Sequence, residues 1–221
     1  MKLLVEAMTK FICGVVLIAA LLFLPAGTLK FWNAWLFMGL LFIPMFGAGI
    51  VLWLKNRELL RKRLNAKEKQ DAQKSVIMIS AIIFITGFVL AGLDFKFGWS
   101  KLPSWVVGLS SVIMLVSYAL FAEVIRENQF LSRTIEIQEN QKVVDTGLYA
   151  IVRHPMYMAV TFLYLSFPLV LGSFIAFIVF LPFPLVLAKR IKNEEEVLEH
   201  GLEGYKEYKQ KVKYKMIPFV W

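Results

Sequence analysis

Five long stretches without a formal charge constrain this chain more than any other feature. They hold 19, 24, 19, 21 and 35 residues and lie at 11–29, 31–54, 75–93, 102–122 and 154–188. A helix needs about 20 apolar residues to cross the roughly 30 Å hydrocarbon core of a bilayer. Each of the first four stretches therefore predicts one membrane-spanning helix. With 58% hydrophobic and 19% charged residues, the composition excludes a soluble enzyme and a disordered tail.

The fifth stretch is too long for one span and slightly short for two. Residues that break or turn helices lie at its centre and in its second half: Pro168, Gly172, Ser173, Pro182 and Pro184. We predict a tight helical hairpin with arms 156–171 and 174–188, the second arm kinked, each arm reaching about 24 Å. The expected fold is an all-α integral membrane protein with four transmembrane helices plus this hairpin, which makes five to six membrane segments.

The orientation follows from the basic residues. Segment 55–74 carries eight Lys or Arg against three acidic residues, and cytoplasmic loops are enriched in Lys and Arg. Counting spans outward places both termini and the segments 123–153 and 189–221 in the cytoplasm. The net charge of +9 lies beside the spans, where anionic lipid headgroups explain it, so we expect a bilayer and not a nucleic acid as its partner.

Three further features narrow the class of protein. Cys13 is the single cysteine, which excludes an internal disulfide. Stretch 11–29 is longer than a typical signal-peptide core, so we expect it to be retained as a span. Gly47-Ala48-Gly49 is the only Gly-x-Gly, and it lies inside an apolar stretch. It is therefore not the glycine loop of a nucleotide-binding domain.

The polar segment before the hairpin has two parts. The first has a strand-like pattern, and the second carries basic and aromatic residues where the chain enters the membrane again. Residues 134–138 alternate with period two and 142–144 are strand-like, which predicts a small surface ribbon. Segment 147–157 then brings together a glycine, two tyrosines, Arg153 and His154, and Pro155 fits the first turn of a helix. Arginine and tyrosine commonly anchor membrane interfaces. Ionisable groups set against an apolar hairpin also mark functional sites.

The tail begins as an amphipathic helix. Arg190 and Glu194 are four residues apart and share one helix face, whereas Glu195 is turned about 100° away. On this pattern alone, the tail could be a solvated helix with an exposed ion pair, or part of a site. Its apolar side comprises Leu198, Leu202, Tyr205 and Tyr208.

Together the two segments resemble the isoprenylcysteine carboxyl methyltransferase family of integral-membrane enzymes over residues 118–221. The matching residues are Gly147-x-Tyr149-x-x-x-Arg153-His154-Pro155-x-Tyr157, Arg190-Ile-x-x-Glu194-Glu195-x-x-Leu198, Gly204-Tyr205-x-x-Tyr208 and Met216-Ile-Pro218. The resemblance implies an N-terminal helical part, 1–117, and a catalytic core, 118–221.

The resemblance also implies the activity, which is transfer of a methyl group from S-adenosyl-L-methionine to a carboxylate of a lipidic or prenylated acceptor, without a metal. The cofactor-binding residues would be Gln141, Lys142, Val143, Val144, Tyr149, His154, Pro155, Met156, Tyr157 and Glu194, with Thr134 as a further candidate. Arg190 and Arg153 are the catalytic candidates, and Arg190 would face the acceptor.

Three other functions remain open on the sequence. A phospholipid or amine N-methyltransferase would need a base, for which His154 or a glutamate is available. An NADPH-dependent reductase carries a related motif, although Tyr149 stands where that pattern has tryptophan. A non-enzymatic membrane protein such as a transporter subunit is disfavoured, because the uncharged stretches hold no acidic or basic residue in mid-span.

Overall fold

The described part of this chain folds into α-helices joined by connecting segments. The computed structural model describes residues 2–64, 71–131, 135 and 137–221. Within these ranges there are nine α-helices, a 3-10 helix at Gly147–Ala150, and no strand. The α-helices are α1 Lys2–Ala26, α2 Trp32–Lys55, α3 Arg57–Leu64, α4 Asp71–Phe97, α5 Ser104–Glu127, α6 Pro155–Val170, α7 Phe174–Phe180, α8 Phe183–Gly201 and α9 Tyr205–Lys211.

Five helical segments of the described chain are long and apolar enough to cross a membrane: α1, α2, most of α4, α5, and α7 with α8. The protein is therefore an all-α integral membrane protein, as predicted. The spans expose large apolar side chains that lipid can cover, for example Val16, Ile43, Met78 and Val112, which are 57–73% exposed and which a soluble protein would bury.

The fifth apolar stretch forms the predicted hairpin. Its first arm, α6, has 16 residues and is about 24 Å long, shorter than the hydrocarbon core. Gly172, with φ +77°, occupies the turn in a left-handed conformation that glycine adopts without strain. The second arm is interrupted at Leu181 and Pro182 and then continues through α8.

The arm that follows this break is longer than we predicted. We expected it to end at residue 188 and the tail helix to begin at 189, but α8 is continuous from Phe183 to Gly201. No proline or glycine lies between Pro184 and Gly201, so nothing in the local sequence ends the helix where its polar part begins. The apolar arm therefore carries the polar tail residues rigidly.

An aromatic cluster in the middle of the bundle holds the hairpin against α2 and α4. Phe37, Phe88, Phe167 and Phe180 are all at most 3% exposed. The ring centroids of Phe37 and Phe167 are 4.9 Å apart, and those of Phe88 and Phe180 are 6.1 Å apart. These distances are typical of favourable aromatic pairs, so one core fixes the position of both hairpin arms.

Hydrogen bonds fasten the loops at the end of the bundle that carries the hairpin turn. The buried Asp94 carboxylate accepts from the Ser100 amide at 2.7 Å and from the Ser173 hydroxyl at 2.5 Å. The Asn33 amide nitrogen donates to the Val170 carbonyl at 2.9 Å. The α1–α2 turn, the α4–α5 loop and the hairpin turn therefore meet at one end, and the opposite end is left for the polar segments.

The predicted ribbon is wrong for the residues that the structure describes. Residues 142–144 form no strand, and Val143 instead packs against Leu202, Tyr205 and Tyr208. Ile137, from the alternating stretch, packs against the same cluster. Thr134 and Glu136, part of the same prediction, lie outside the described residues.

Candidate active site

The end of α5 positions the 3-10 helix. The Glu127 carboxylate accepts from the Leu148 amide at 3.1 Å and from the Thr146 hydroxyl at 3.3 Å. Gly147 has φ +50°, and a Cβ atom there would overlap this carboxylate. The close approach explains why the motif needs glycine at this position.

The 3-10 helix carries Tyr149, whose side chain is buried. Its hydroxyl accepts a hydrogen bond from the Asn128 amide nitrogen at 2.9 Å, and its backbone carbonyl accepts from the Tyr208 hydroxyl at 2.7 Å. Burial raises the pKa of Tyr149 to about 12, so the phenol stays protonated at neutral pH. Tyr149 therefore joins the end of α5 to the tail.

The tail also clamps the start of α6. The Arg153 and His154 amides donate to the Tyr214 and Lys215 carbonyls at 2.9 and 2.8 Å. The Arg153 Nη1 donates to the Val212 carbonyl at 2.6 Å. The chain between the 3-10 helix and α6 is thus fixed by contacts with residues about 60 positions later.

A buried carboxylate organises the two basic side chains of the motif. Glu195 Oε1 lies 2.7 Å from Arg153 Nε and 3.2 Å from His154 Nε2. All three residues are at most 5% exposed. Lys215 Nζ lies 3.4 Å from Glu195 Oε2. This network compensates the buried charges, and it turns the Arg153 guanidinium toward Glu195 and the tail.

A second acidic residue, Glu194, meets Tyr157 and Arg190. The Tyr157 hydroxyl donates to Glu194 Oε2 at 2.5 Å and accepts from Arg190 Nε at 3.0 Å. Glu194 is only partly buried, with 25% of its side chain exposed, and its Oε1 lies 4.0 Å from His154 Nδ1. The shared face predicted for Arg190 and Glu194 thus contacts Tyr157 of α6.

These groups surround one cavity, which we call the site cavity. It lies between the end of α5, the segment before α6 and the polar part of α8 with α9. The predicted site residues that line it are Gln141, Lys142, Val143, Val144, Tyr149, Arg153, His154, Met156, Tyr157, Arg190 and Glu194.

The remaining predicted site residue, Pro155, starts α6 next to this cavity, as expected. We also expected free amides in the first turn of α6 to be available to an anion. The Tyr157 and Met158 amides donate to the His154 carbonyl instead. This leaves the Met156 amide as the candidate donor of that turn within the described chain.

Three residues in or beside the site cavity had no role assigned from the sequence: Asn128 and Tyr205 in its wall, and Glu195 behind Arg153 and His154. Glu195 belongs to the motif, but we gave it no role. It continues a buried stripe on α8 at four-residue spacing with Leu187 and Ile191, and an acid on such a stripe predicts a cationic partner. Asn128 and Tyr205 line the cavity itself; Tyr205 belonged to the matched Gly-Tyr motif and to the apolar side of the tail without an assigned role, and Asn128 gave no signal.

Residues 106–200 match the model of the isoprenylcysteine carboxyl methyltransferase (ICMT) family. This segment is of the ICMT type. The match confirms the resemblance from residue 118 to residue 200, begins twelve residues earlier than we expected, and leaves the tail motifs around Tyr205 and Met216 outside. No curated protein matches the chain.

The ICMT match covers residues 106–200 of a chain whose described part has five helical segments able to cross a membrane. The matched segment runs from α5 through α8, so it contains the hairpin and both acidic residues, Glu194 and Glu195. The roles of individual residues stay predictions.

Proposed function

We propose that the protein is an S-adenosylmethionine-dependent methyltransferase whose site cavity binds the cofactor on the cytoplasmic side of the membrane. The observation that carries this proposal is the convergence of two separated motifs on one cavity. Residues 141–157 and 190–194 are distant in sequence, yet they line the same space at the polar end of the ICMT-type segment.

The chemistry of the cavity wall fits such a cofactor. S-adenosylmethionine carries a sulfonium, an ammonium, a carboxylate and a ribose. Glu194 can accept hydrogen bonds from the ammonium or ribose, and the rings of Tyr149 and Tyr157 can face the sulfonium. The Met156 amide, at the start of α6, can donate to the carboxylate. When bound, the cofactor supplies the methyl group.

Arg190 is the residue that we assign to the methyl acceptor. Its contact with the Tyr157 hydroxyl places it beside the proposed cofactor groups. A guanidinium can hold a carboxylate through two parallel hydrogen bonds. A carboxylate acceptor is ionised at neutral pH and needs no base, so the chain has only to position it and exclude water.

The contacts of His154 favour a carboxylate acceptor over an amine. An amine must lose a proton, and His154 was the candidate base. Its imidazole is 5% exposed and faces Glu195, and the other nearby acid, Glu194, already accepts from Tyr157. We therefore propose carboxyl O-methylation of a lipidic acceptor that reaches Arg190 from the bilayer.

Calorimetry on the detergent-purified chain tests the cofactor assignment. We expect micromolar binding of S-adenosylhomocysteine and no measurable binding of NADPH. Binding of NADPH alone would instead make the protein a reductase. Binding of neither ligand, with the helical circular dichroism intact, would contradict an enzymatic function for the site cavity.

A further inference from the structure

Tyr205 is a tyrosine of the site cavity whose hydroxyl the protein itself leaves unused. The side chain lines the cavity and is 4% exposed. Its hydroxyl oxygen is buried and has no hydrogen-bond partner among the residues that the structure describes. Buried polar groups in folded proteins are nearly always hydrogen-bonded, so an unpaired hydroxyl on a cavity wall needs an explanation.

The other cavity tyrosines do not share this property. Tyr149 accepts from Asn128, Tyr157 contacts Glu194 and Arg190, and Tyr208 donates to the Tyr149 carbonyl. Their hydroxyl groups bind parts of the protein. Tyr205 therefore differs from its neighbours in that its hydroxyl binds no described part of the protein.

Packing, and not the hydroxyl, holds the Tyr205 ring in place. Tyr205 begins α9, and its ring lies 5.8 Å from that of Tyr208. Both belong to an apolar cluster with Leu202 and Val212. Burial, together with the charges of Glu195 and Glu194, raises the pKa of Tyr205. The phenol is thus a fixed, protonated hydrogen-bond donor.

We infer that the Tyr205 hydroxyl donates a hydrogen bond to S-adenosylmethionine in the site cavity, which adds a cofactor-binding residue from beyond the ICMT-matched segment. This inference rests on the proposed function. The tail would then bind the cofactor as well as fix the backbone of Arg153 and His154. Residue 205 lies outside residues 106–200, so the family match does not assign it.

The Tyr205→Phe variant tests the inference, because it removes only the hydroxyl. We expect its affinity for S-adenosylhomocysteine to fall about tenfold, the usual effect of losing a buried hydrogen bond to a ligand. The thermal unfolding temperature of the ligand-free protein should stay the same or rise, since an unpaired polar group is removed. Binding of adenosine then shows which part of the cofactor accepts the hydrogen bond from Tyr205. If Tyr205→Phe weakens adenosine binding as much as it weakens S-adenosylhomocysteine binding, the accepting atom lies in the nucleoside. If adenosine binding is unchanged, the accepting atom lies in the amino-acid part.

The matched control is Tyr214→Phe, the same change in a tail residue that does not line the site cavity. It should leave the affinity for S-adenosylhomocysteine unchanged. Wild-type affinity in Tyr205→Phe, or a clear drop in its ligand-free unfolding temperature, would overturn the inference while leaving the proposed function intact. Absence of S-adenosylhomocysteine binding by the wild-type chain would overturn the proposed function, and this inference with it.

Discussion

Replacing Glu195 by alanine is expected to lower the free energy of unfolding by about 3–5 kcal/mol, the usual cost of removing one partner of a buried ion pair. Glu195 lies 2.7 Å from Arg153 Nε and 3.2 Å from His154 Nε2, all within the protein interior. Without it, the Arg153 guanidinium would be buried without its carboxylate partner. Thermal and denaturant unfolding of the detergent-solubilised variant measures the loss.

The chain offers a matched control for this prediction one residue further along α8. Glu196 is exposed, and Glu196→Ala should change the unfolding free energy by less than about 0.5 kcal/mol. A double variant, Arg153→Met with Glu195→Leu, removes both charges and should recover much of the stability. Equal stability of Glu195→Ala and Glu196→Ala would contradict the organising role of the buried network.

Glu194→Ala and Arg190→Ala are expected to separate cofactor binding from methyl transfer. Glu194→Ala should weaken S-adenosylhomocysteine binding roughly 10- to 100-fold, because it removes a charged hydrogen-bond acceptor. Arg190→Ala should leave that affinity within about threefold and lower turnover on the order of 100-fold, since a misplaced acceptor reacts slowly. Calorimetry and steady-state kinetics on both variants measure the two effects.

Lys192→Ala is the control for charge removal on the same helix, because Lys192 is exposed and does not line the site cavity. It should bind and turn over like the wild type. If Glu194→Ala bound S-adenosylhomocysteine normally, the residue assignment would be wrong even though the ICMT match stands. If Arg190→Ala lost cofactor affinity as strongly as Glu194→Ala, Arg190 would belong to the cofactor and not to the acceptor.

The sequence predicted the membrane architecture because bilayer thickness constrains it so strongly. Uncharged stretches of about 20 residues have few alternatives to a spanning helix, and Gly172 and Pro182 marked the turn and the break of the hairpin. The sequence misled where polarity changed without a helix breaker. α8 continues past residue 188, because local backbone preferences and not polarity decide where a helix ends.

The candidate site was predictable as a set of residues but not as a set of contacts. The motif placed Tyr157, Glu194 and Arg190 in one site, and their hydrogen bonds bring them together. Which of the two adjacent acids pairs with Arg153 depends on how α8 is rotated about its axis relative to α6. Long-range packing contacts determine that rotation. The unused hydroxyl of Tyr205 likewise depends on the tail folding back, which local sequence does not encode.

Methyl transfer in membranes containing the protein tests the central claim most directly. Membranes that carry the chain, incubated with S-adenosylmethionine labelled in its methyl group, should transfer the label to lipid-soluble material. Mild base should then release it as methanol, because carboxyl methyl esters are hydrolysed and methylamines are not. Membranes with the Arg190→Ala variant should transfer far less. A base-stable label would make the acceptor an amine, and no transfer by folded wild-type protein to any component of its native membranes would contradict the methyltransferase assignment.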